Sequence, residues 1–396
     1  MHKGLRRACS GAQKRRLSTC DVVPLSLHQR NLLEEYTLKE QTPSSLQSLM
    51  RTGRGDFLQN NSHNRRLVNA RILIHVAGFL RNELPIRLAH RIRDLDEVPL
   101  MKDMPSVQAV KQVYTDSFVD LVQVPSIHTP ADEEAFASCL DALYAKHSNV
   151  LIQMAKGAFE LREQMGGDFA KMTQCHTFLD RFYTSRIGIR VLAGQYLALR
   201  RPPMMDYIGM ICLKTSPNHI VRQAISDATM MCIRRYGRAP KVEVNGRLDL
   251  TFPYIPTYLH YILVELLKNA LRATAEKHME EARLPSVAVV IADGDENEDV
   301  VIKVMDEGGG IPRSQMEKIW SYLFTTADPK IQEAFIGDND HGNESPIAGL
   351  GYGLPISRSY CRYFGGDLAL MSMEGYGTDA FLHLKRIGDS MEPVPV

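Results

Sequence analysis

The sequence predicts two parts: an all-α helical bundle over residues 25–200, then an α+β domain over residues 205–386 in which a mixed sheet is covered by helices. Three observations predict this. Apolar residues recur at the helical period through the first part, with no alternating run among them. Arg200-Arg-Pro-Pro203 interrupts the pattern where it changes. Beyond it, short β-branched runs alternate with helical stretches. At 396 residues the chain has room for two or three domains, since single cores rarely grow past about 250–300 residues.

The first 22 residues stand apart. Lys3, Arg6, Arg7, Lys14, Arg15 and Arg16 precede the first acid, Asp21, and Ser10, Ser18 and Thr19 accompany them. A basic, hydroxyl-bearing, acid-free start has the profile of a mitochondrial transit peptide. Val23–Arg54 is of mixed polarity, with an amphipathic patch at Leu32–Leu38 and a Thr-Pro-Ser-Ser break at 42–45. Gly53–Asn64 is polar and rich in turn formers, which predicts a loop. From Arg65 to about Leu95 the apolar residues are helically spaced, with Pro85 predicting a kink or break. After Pro99, Pro105 and Pro125 the helical period resumes over Ala131–Glu163 and Phe169–Leu199.

In the second part, His219–Tyr236 reads as a helix. Lys241–Val244 and Asp249–Phe252 read as strands joined by an Asn245-Gly246 hairpin turn. A helix over Leu259–Lys277 has Leu259, Ile262, Leu263, Leu266, Ala270 and Ala273 on one face and Glu265, Asn269 and Arg272 on another. Val287–Ala292 and Val300–Met305 are strands flanking an acidic turn. Leu354–Phe364 is a helix, and Leu368–Met373 and Ala380–Leu384 close the domain as strands. Residues 387–396 form a tail.

Composition excludes some function classes. A net charge of +1 gives no electrostatic case for nucleic acid. The most apolar short run, Ile72–Leu80, is far below the ~20 residues of a membrane span. The seven cysteines contain no CxxC pair and the thirteen histidines no ligand-like pairing, which argues against disulfides and zinc.

Five local patterns bear on chemistry. On the Leu259–Lys277 helix, a Glu265 carboxylate one turn from an Asn269 carboxamide can accept a proton and hold a hard cation such as Mg²⁺; alone, the pair also suits an ordinary solvated face. Asp306-Glu-Gly-Gly-Gly310 comes directly after a strand and sets an acid beside a sharp turn. Gly349-Leu-Gly-Tyr-Gly-Leu354 feeds backbone amides into a helix start, an arrangement suited to phosphate. Thr325–Ala348 between them is long and polar, as a lid would be. Gly375-Tyr-Gly-Thr378 lies between the last two strands. The motifs of other nucleotide folds, GxxxxGK[ST], HRD and DFG, are missing.

In this order the patterns resemble the ATP-binding domain shared by gyrases, mismatch-repair proteins and histidine kinases. The resemblance implies an ATP site made by Asn269, Arg272, Asp306, Gly308, Gly310, Thr325, Thr326, Gly349, Leu350, Gly351, Tyr352, Gly353, Leu354 and Thr378. Asn269 would ligate Mg²⁺, Asp306 would bond the adenine amino group, Thr378 would support the base and Gly349–Leu354 would wrap the phosphates. "LPIRLAHRIRDLD", "TSRIGIRVLAGQYLAL" and "ELLKNALRAT" then resemble the mitochondrial 2-oxo acid dehydrogenase kinases, from about Leu67 to Leu384. "GMICLKTSPNHIV", "YGRAPKVEVNG" and "FPYIP" are more similar to the branched-chain than to the pyruvate members. The lone tryptophan, Trp320, also lies away from the tail, where pyruvate members carry an Asp-Trp pair.

The resemblance implies a matrix serine kinase that inactivates the E1α subunit of the branched-chain 2-oxo acid dehydrogenase complex. A pyruvate dehydrogenase kinase, or a nucleotide-gated binding module of the same fold, are the alternatives. It further implies Glu265 as base, oriented by His147 of "YAKHSNVLIQMAKG", docking to the lipoyl domain of the E2 core, and a homodimer. A potassium site would use Ile319, Ser321, Phe324 and Gly351, although Ser321 stands where the branched-chain enzyme has an acid. Arg186 and Arg190, one turn apart, are either ion-pair partners at the domain interface or a regulatory anion site.

Overall fold

The structure, a computed structural model, describes residues 25–58, 65–166, 169–294, 299–325 and 351–394. The segment 1–22 and most of the lid stretch lie outside these residues. Seven α-helices come first among the described residues: α1 Leu27–Thr37, α2 Leu46–Arg54, α3 Arg65–Glu97, α4 Pro105–Val122, α5 Pro130–Lys146, α6 Val150–Met165 and α7 Thr173–Leu199. Local chemistry sets several of their starts. Ser26, Ser45 and Thr129 each cap an N-terminus in a reciprocal box with the residue three positions on. The Thr-Pro-Ser-Ser break at 42–45 is therefore the entry to α2.

Two readings of this part change. α3 runs through Pro85 without a break. Leu80, Leu84 and Leu88 are all buried around it, so packing carries the helix past the rung that proline removes. The 131–163 pattern is two helices, divided at His147-Ser148-Asn149.

The second part holds β1 Tyr207–Ile208, β2 Ile211–Thr215, α8 Pro217–Tyr236, β3 Val242–Gly246, β4 Phe252–Tyr254, α9 Pro256–Lys277, β5 Val287–Asp293, β6 Asp299–Asp306, α10 Gly353–Tyr363, β7 Asp367–Met373 and β8 Gly377–Lys385. The main sheet has the order β3-β5-β6-β8-β7, with β3 and β5 parallel and the other pairs antiparallel. Val287, Val289, Ile291, Val300, Ile302, Val304, Leu382 and Leu384 line one face and pack with Leu259, Ile262, Leu263, Leu266 and Leu267 of α9. This is the mixed, helix-covered sheet the alternating runs predict.

The Asn245-Gly246 hairpin is not formed. β4 pairs with β2 in a separate small sheet of order β1-β2-β4. Asn245 and Gly246 are instead the last two rungs of β3, opposite Val290 and Ile291. Gly246 takes φ +97°, a conformation open to glycine, and turns the chain so that the Arg247 N–H reaches the Ile291 carbonyl at 2.8 Å.

The two parts and the tail meet at one buried carboxylate. Glu392 accepts from Arg87 of α3 (2.7 and 3.0 Å), Tyr363 of α10 (2.6 Å), and the Ser44 hydroxyl and amide (2.9 and 2.8 Å). Arg87 also pairs with Glu83 at 2.8 Å and donates to the Thr42 carbonyl at 2.7 Å. Burial by itself would raise the Glu392 carboxyl. Arg87, then the Tyr363 and Ser44 hydroxyls, override it and hold the group below its ordinary value of 4.5.

A folded pKa below the unfolded one means that this stabilisation is complete above about pH 4.5 and is lost as pH falls through the folded value. Arg87→Met should remove about 3 kcal/mol of unfolding free energy, because it strands a buried carboxylate. Urea denaturation at pH 7 measures this; a loss below about 1 kcal/mol would show that the network is dispensable.

Candidate active site

α9 forms one wall. Its apolar face is buried as the periodicity predicts except at Ala273, which is half-buried, and the burial extends to Val264, Leu267, Leu271 and Ala275. Glu265, on the polar face, is only 3% exposed. Lys268 Nζ, one turn on, donates to its Oε1 at 2.6 Å. The other carboxylate oxygen faces Gly353, the first residue of α10, where any Cβ would overlap Glu265 Oε2. Glycine at 353 is thus what lets the end of the glycine string close on the acid. No side chain among the described residues caps the α10 N-terminus, so a carboxylate there meets a partial positive charge.

Asn269 and Arg272 are half-buried farther along α9. The Asn269 carboxamide has no hydrogen-bond partner among the described residues, which leaves a hard oxygen donor available one turn from Glu265.

The second wall is the end of β6. Asp306 Oδ1 accepts the Gly308 N–H at 2.8 Å, and Asp306 lies opposite Thr378 in the β6–β8 register. Burial pushes the Asp306 carboxyl up to about 6; bonds from the Gly308 and Thr378 backbones pull the other way, and the Asp379 charge adds to the rise. Gly310 is half-buried against the Met373 carbonyl.

Ser372 of β7, which sequence reasoning missed, ties this wall together. Its Oγ accepts the Ile311 N–H at 2.7 Å and lies 3.0 Å from Thr378 Oγ1. A serine in a strand carries no motif, so only the sheet register could reveal it. Lys268 was missed although it lies inside the ELLKN string, because a lysine on a polar helix face is ordinary.

Ile319, Ser321 and Phe324 fall in one short turn; Ile319 is buried and the Phe324 carbonyl lies against Gly351. Thr325 is half-buried beside them. Such backbone carbonyls are the donors potassium takes. Tyr352 turns its side chain into the helical core, so only its backbone is available to a ligand, and the half-buried Leu354 packs against the second core. Thr326, Gly349 and Leu350 lie outside the described residues.

The structure gives His147 a different partner from the one expected. Its imidazole is turned into the bundle, with Nε2 2.9 Å from Ser117 Oγ. Ser117 Oγ donates to the Val113 carbonyl, so it accepts from the ring. Burial, then the charges of Arg186, Arg190 and Lys146, push His147 down to about 3, so the ring is neutral at physiological pH. Arg186 donates to the His147 carbonyl at 2.9 Å, and Arg190 stacks 4.0 Å from the Tyr144 ring centroid. Neither arginine is paired with an acid among the described residues, which does not support the ion-pair reading; both line a largely apolar cavity with His147.

The chain is similar in sequence to known proteins. A family model for "Mitochondrial branched-chain alpha-ketoacid dehydrogenase kinase" matches residues 43–212, and one for "Histidine kinase-, DNA gyrase B-, and HSP90-like ATPase" matches residues 255–387. The chain is 43% identical to the mitochondrial [pyruvate dehydrogenase (acetyl-transferring)] kinase of Arabidopsis thaliana, over 95% of this chain and 98% of the relative. It is 37% identical to isozyme 4 of that kinase from Mus musculus, over 81% and 78% of the two chains. The counterpart in Schizosaccharomyces pombe is 33% identical over 81% and 91%.

Asp306 should titrate near pH 6 in the ligand-free protein, as carboxyl NMR would show. A raised folded pKa makes stability fall as pH rises through that range. Wild type should therefore gain on Asp306→Asn between pH 7 and pH 5 in urea midpoints; an equal difference at both values would contradict the desolvated carboxyl.

Proposed function

The chain belongs to the mitochondrial 2-oxo acid dehydrogenase kinase family, and from that premise we propose that it is an ATP-dependent serine kinase that inactivates the E1α subunit of a pyruvate dehydrogenase complex. The names of its relatives support pyruvate dehydrogenase over the branched-chain complex that the sequence motifs favoured. The branched-chain complex is the second reading, favoured by those motifs and by the name of the family model over residues 43–212.

The observation that carries the proposal is the held carboxylate of Glu265, buried, paired with Lys268 and pressed against the first residue of α10. In our reading Glu265 accepts the proton of the serine hydroxyl as it attacks the γ-phosphate. Lys268 fixes the rotamer that presents Glu265. Asp306, with Thr378 held by Ser372, takes the adenine edge. Gly308, Gly310, Thr325 and the residues from Gly351 to Leu354 line the rest. Asn269 is the residue that would hold Mg²⁺, which when bound neutralises charge on the phosphoryl group in transfer. The carbonyls of Ile319, Ser321, Phe324 and Gly351 are the groups that would hold potassium. His147 contributes to the bundle interior that backs the site and is assigned no contact with Glu265.

The proposal extends to residues 1–22 as a targeting segment, residues 25–200 as the part that docks the E2 lipoyl domain, residues 205–386 as the catalytic part, a homodimer, and action in the matrix. Among the described residues no helix is long and apolar enough to cross a membrane.

The deciding experiment is transfer of labelled γ-phosphate to purified pyruvate and branched-chain complexes in parallel. The pyruvate E1α should be labelled faster, with loss of its dehydrogenase activity. Glu265→Gln should lower the transfer rate by about 10²–10⁴-fold while ATP still binds. Near-normal turnover by that variant would remove Glu265 as base; faster labelling of the branched-chain complex would select the second reading.

A further inference from the structure

The two stretches that flank residues 326–350 are anchored in the helical core. Tyr322 and Leu323 on one side, and Tyr352 and Ile356 on the other, are buried with residues of α3–α7. Tyr322 is 1% exposed, and one face of α7 grips it at three points. His176 Nδ1 accepts its backbone N–H at 3.4 Å, and Asp180 Oδ1 accepts its hydroxyl at 2.7 Å. The Tyr183 ring lies 5.4 Å away, centroid to centroid. Positions 176, 180 and 183 are spaced four and three apart, so a single helix face presents all of them. His176 Nε2 lies 3.0 Å from the Phe169 carbonyl, which requires its proton there and leaves Nδ1 as acceptor. Tyr352 completes the cluster at 5.1 Å from the Tyr322 ring.

The backbone immediately after Tyr322 is strained. Leu323 adopts φ +63°, which for a non-glycine residue persists where surroundings over-determine it. Two residues on from Tyr322, the Phe324 carbonyl packs so closely on Gly351 (φ +77°) that a Cβ at 351 would overlap it. The α7 grip and the Phe324–Gly351 contact lie on either side of the strained residue.

We propose that Asp180 and His176 of α7 are positioning residues for nucleotide binding. They hold Tyr322 so that the Phe324 carbonyl meets Gly351 beside the start of α10, with Thr325 next in the chain. The assignment rests on the reading of Asp306–Thr378 as an ATP site. Loss of the Tyr322–Asp180 bond lets Leu323 relax and moves the Phe324 carbonyl. Glu265 stands on α9, outside this linkage, so binding suffers and the transfer step does not.

Mg-ATP titrated calorimetrically into the full chain, together with steady-state kinetics, tests this. Tyr322→Phe and Asp180→Ala should each weaken ATP binding and raise its KM about fivefold, with kcat within twofold. Asp180→Asn, which keeps an acceptor oxygen, should restore most of the affinity. The Asp180→Ala/Tyr322→Phe double variant should bind no more weakly than either single change, because both delete one bond. Unchanged ATP affinity in variants whose Tm has fallen would overturn the positioning role, as would additive losses in the double variant. If the wild-type chain itself binds no ATP, the ATP-site reading fails and this assignment falls with it.

Discussion

A buried charge holds this molecule together. Glu392, seven residues past the end of the last strand, brings a carboxylate into a site where Arg87, Tyr363 and Ser44 supply the bonds it accepts. Such a group is costly unless fully paired, so each partner constrains the others. Arg87 fixes α3, Ser44 fixes the entry to α2, and Tyr363 fixes the C-terminal end of α10. Gly188 of α7 leaves room for the cluster, since a Cβ there would crowd both Arg87 and Glu392. Chain segments far apart in sequence thus share one electrostatic requirement.

The consequence reaches the candidate site through α10. Its last turn is held at the Glu392 network; its first turn meets Glu265 of α9 and carries the end of the glycine string. A helix is stiff over this distance, so fixing one end helps to fix the other. The residues flanking 326–350 are held separately, by α7 through Tyr322 and Tyr352. In this arrangement the helical part supports both walls of the candidate site, and Glu265 sits where supports from both parts converge.

Much of the fold was legible because it derives from period. Val287, Val289 and Ile291 alternate with less buried neighbours on β5, and Leu259, Ile262, Leu263 and Leu266 repeat at helical spacing on α9; both patterns appear as burial. Where local signals misled, a nonlocal contact prevailed. Asn245-Gly246 reads as a hairpin turn, but β3 finds its partner in β5, well beyond the next strand. Pro85 reads as a breaker, but a buried stretch of α3 outweighs one missing hydrogen bond. His147 reads by resemblance as the partner of Glu265, but its ring satisfies Ser117 inside the bundle.

By itself, the sequence determined the two-part architecture, the family, and the identity of the ExxxN helix, the Asp306 turn and the glycine string, because periodicity and short-range spacing are local properties of the chain. It could not determine that Lys268 and Gly353 close on Glu265, that Ser372 ties Ile311 to Thr378, or that α7 grips Tyr322. Those contacts depend on the register of the sheet and the angle at which helices cross, and both are set by burying the whole core at once.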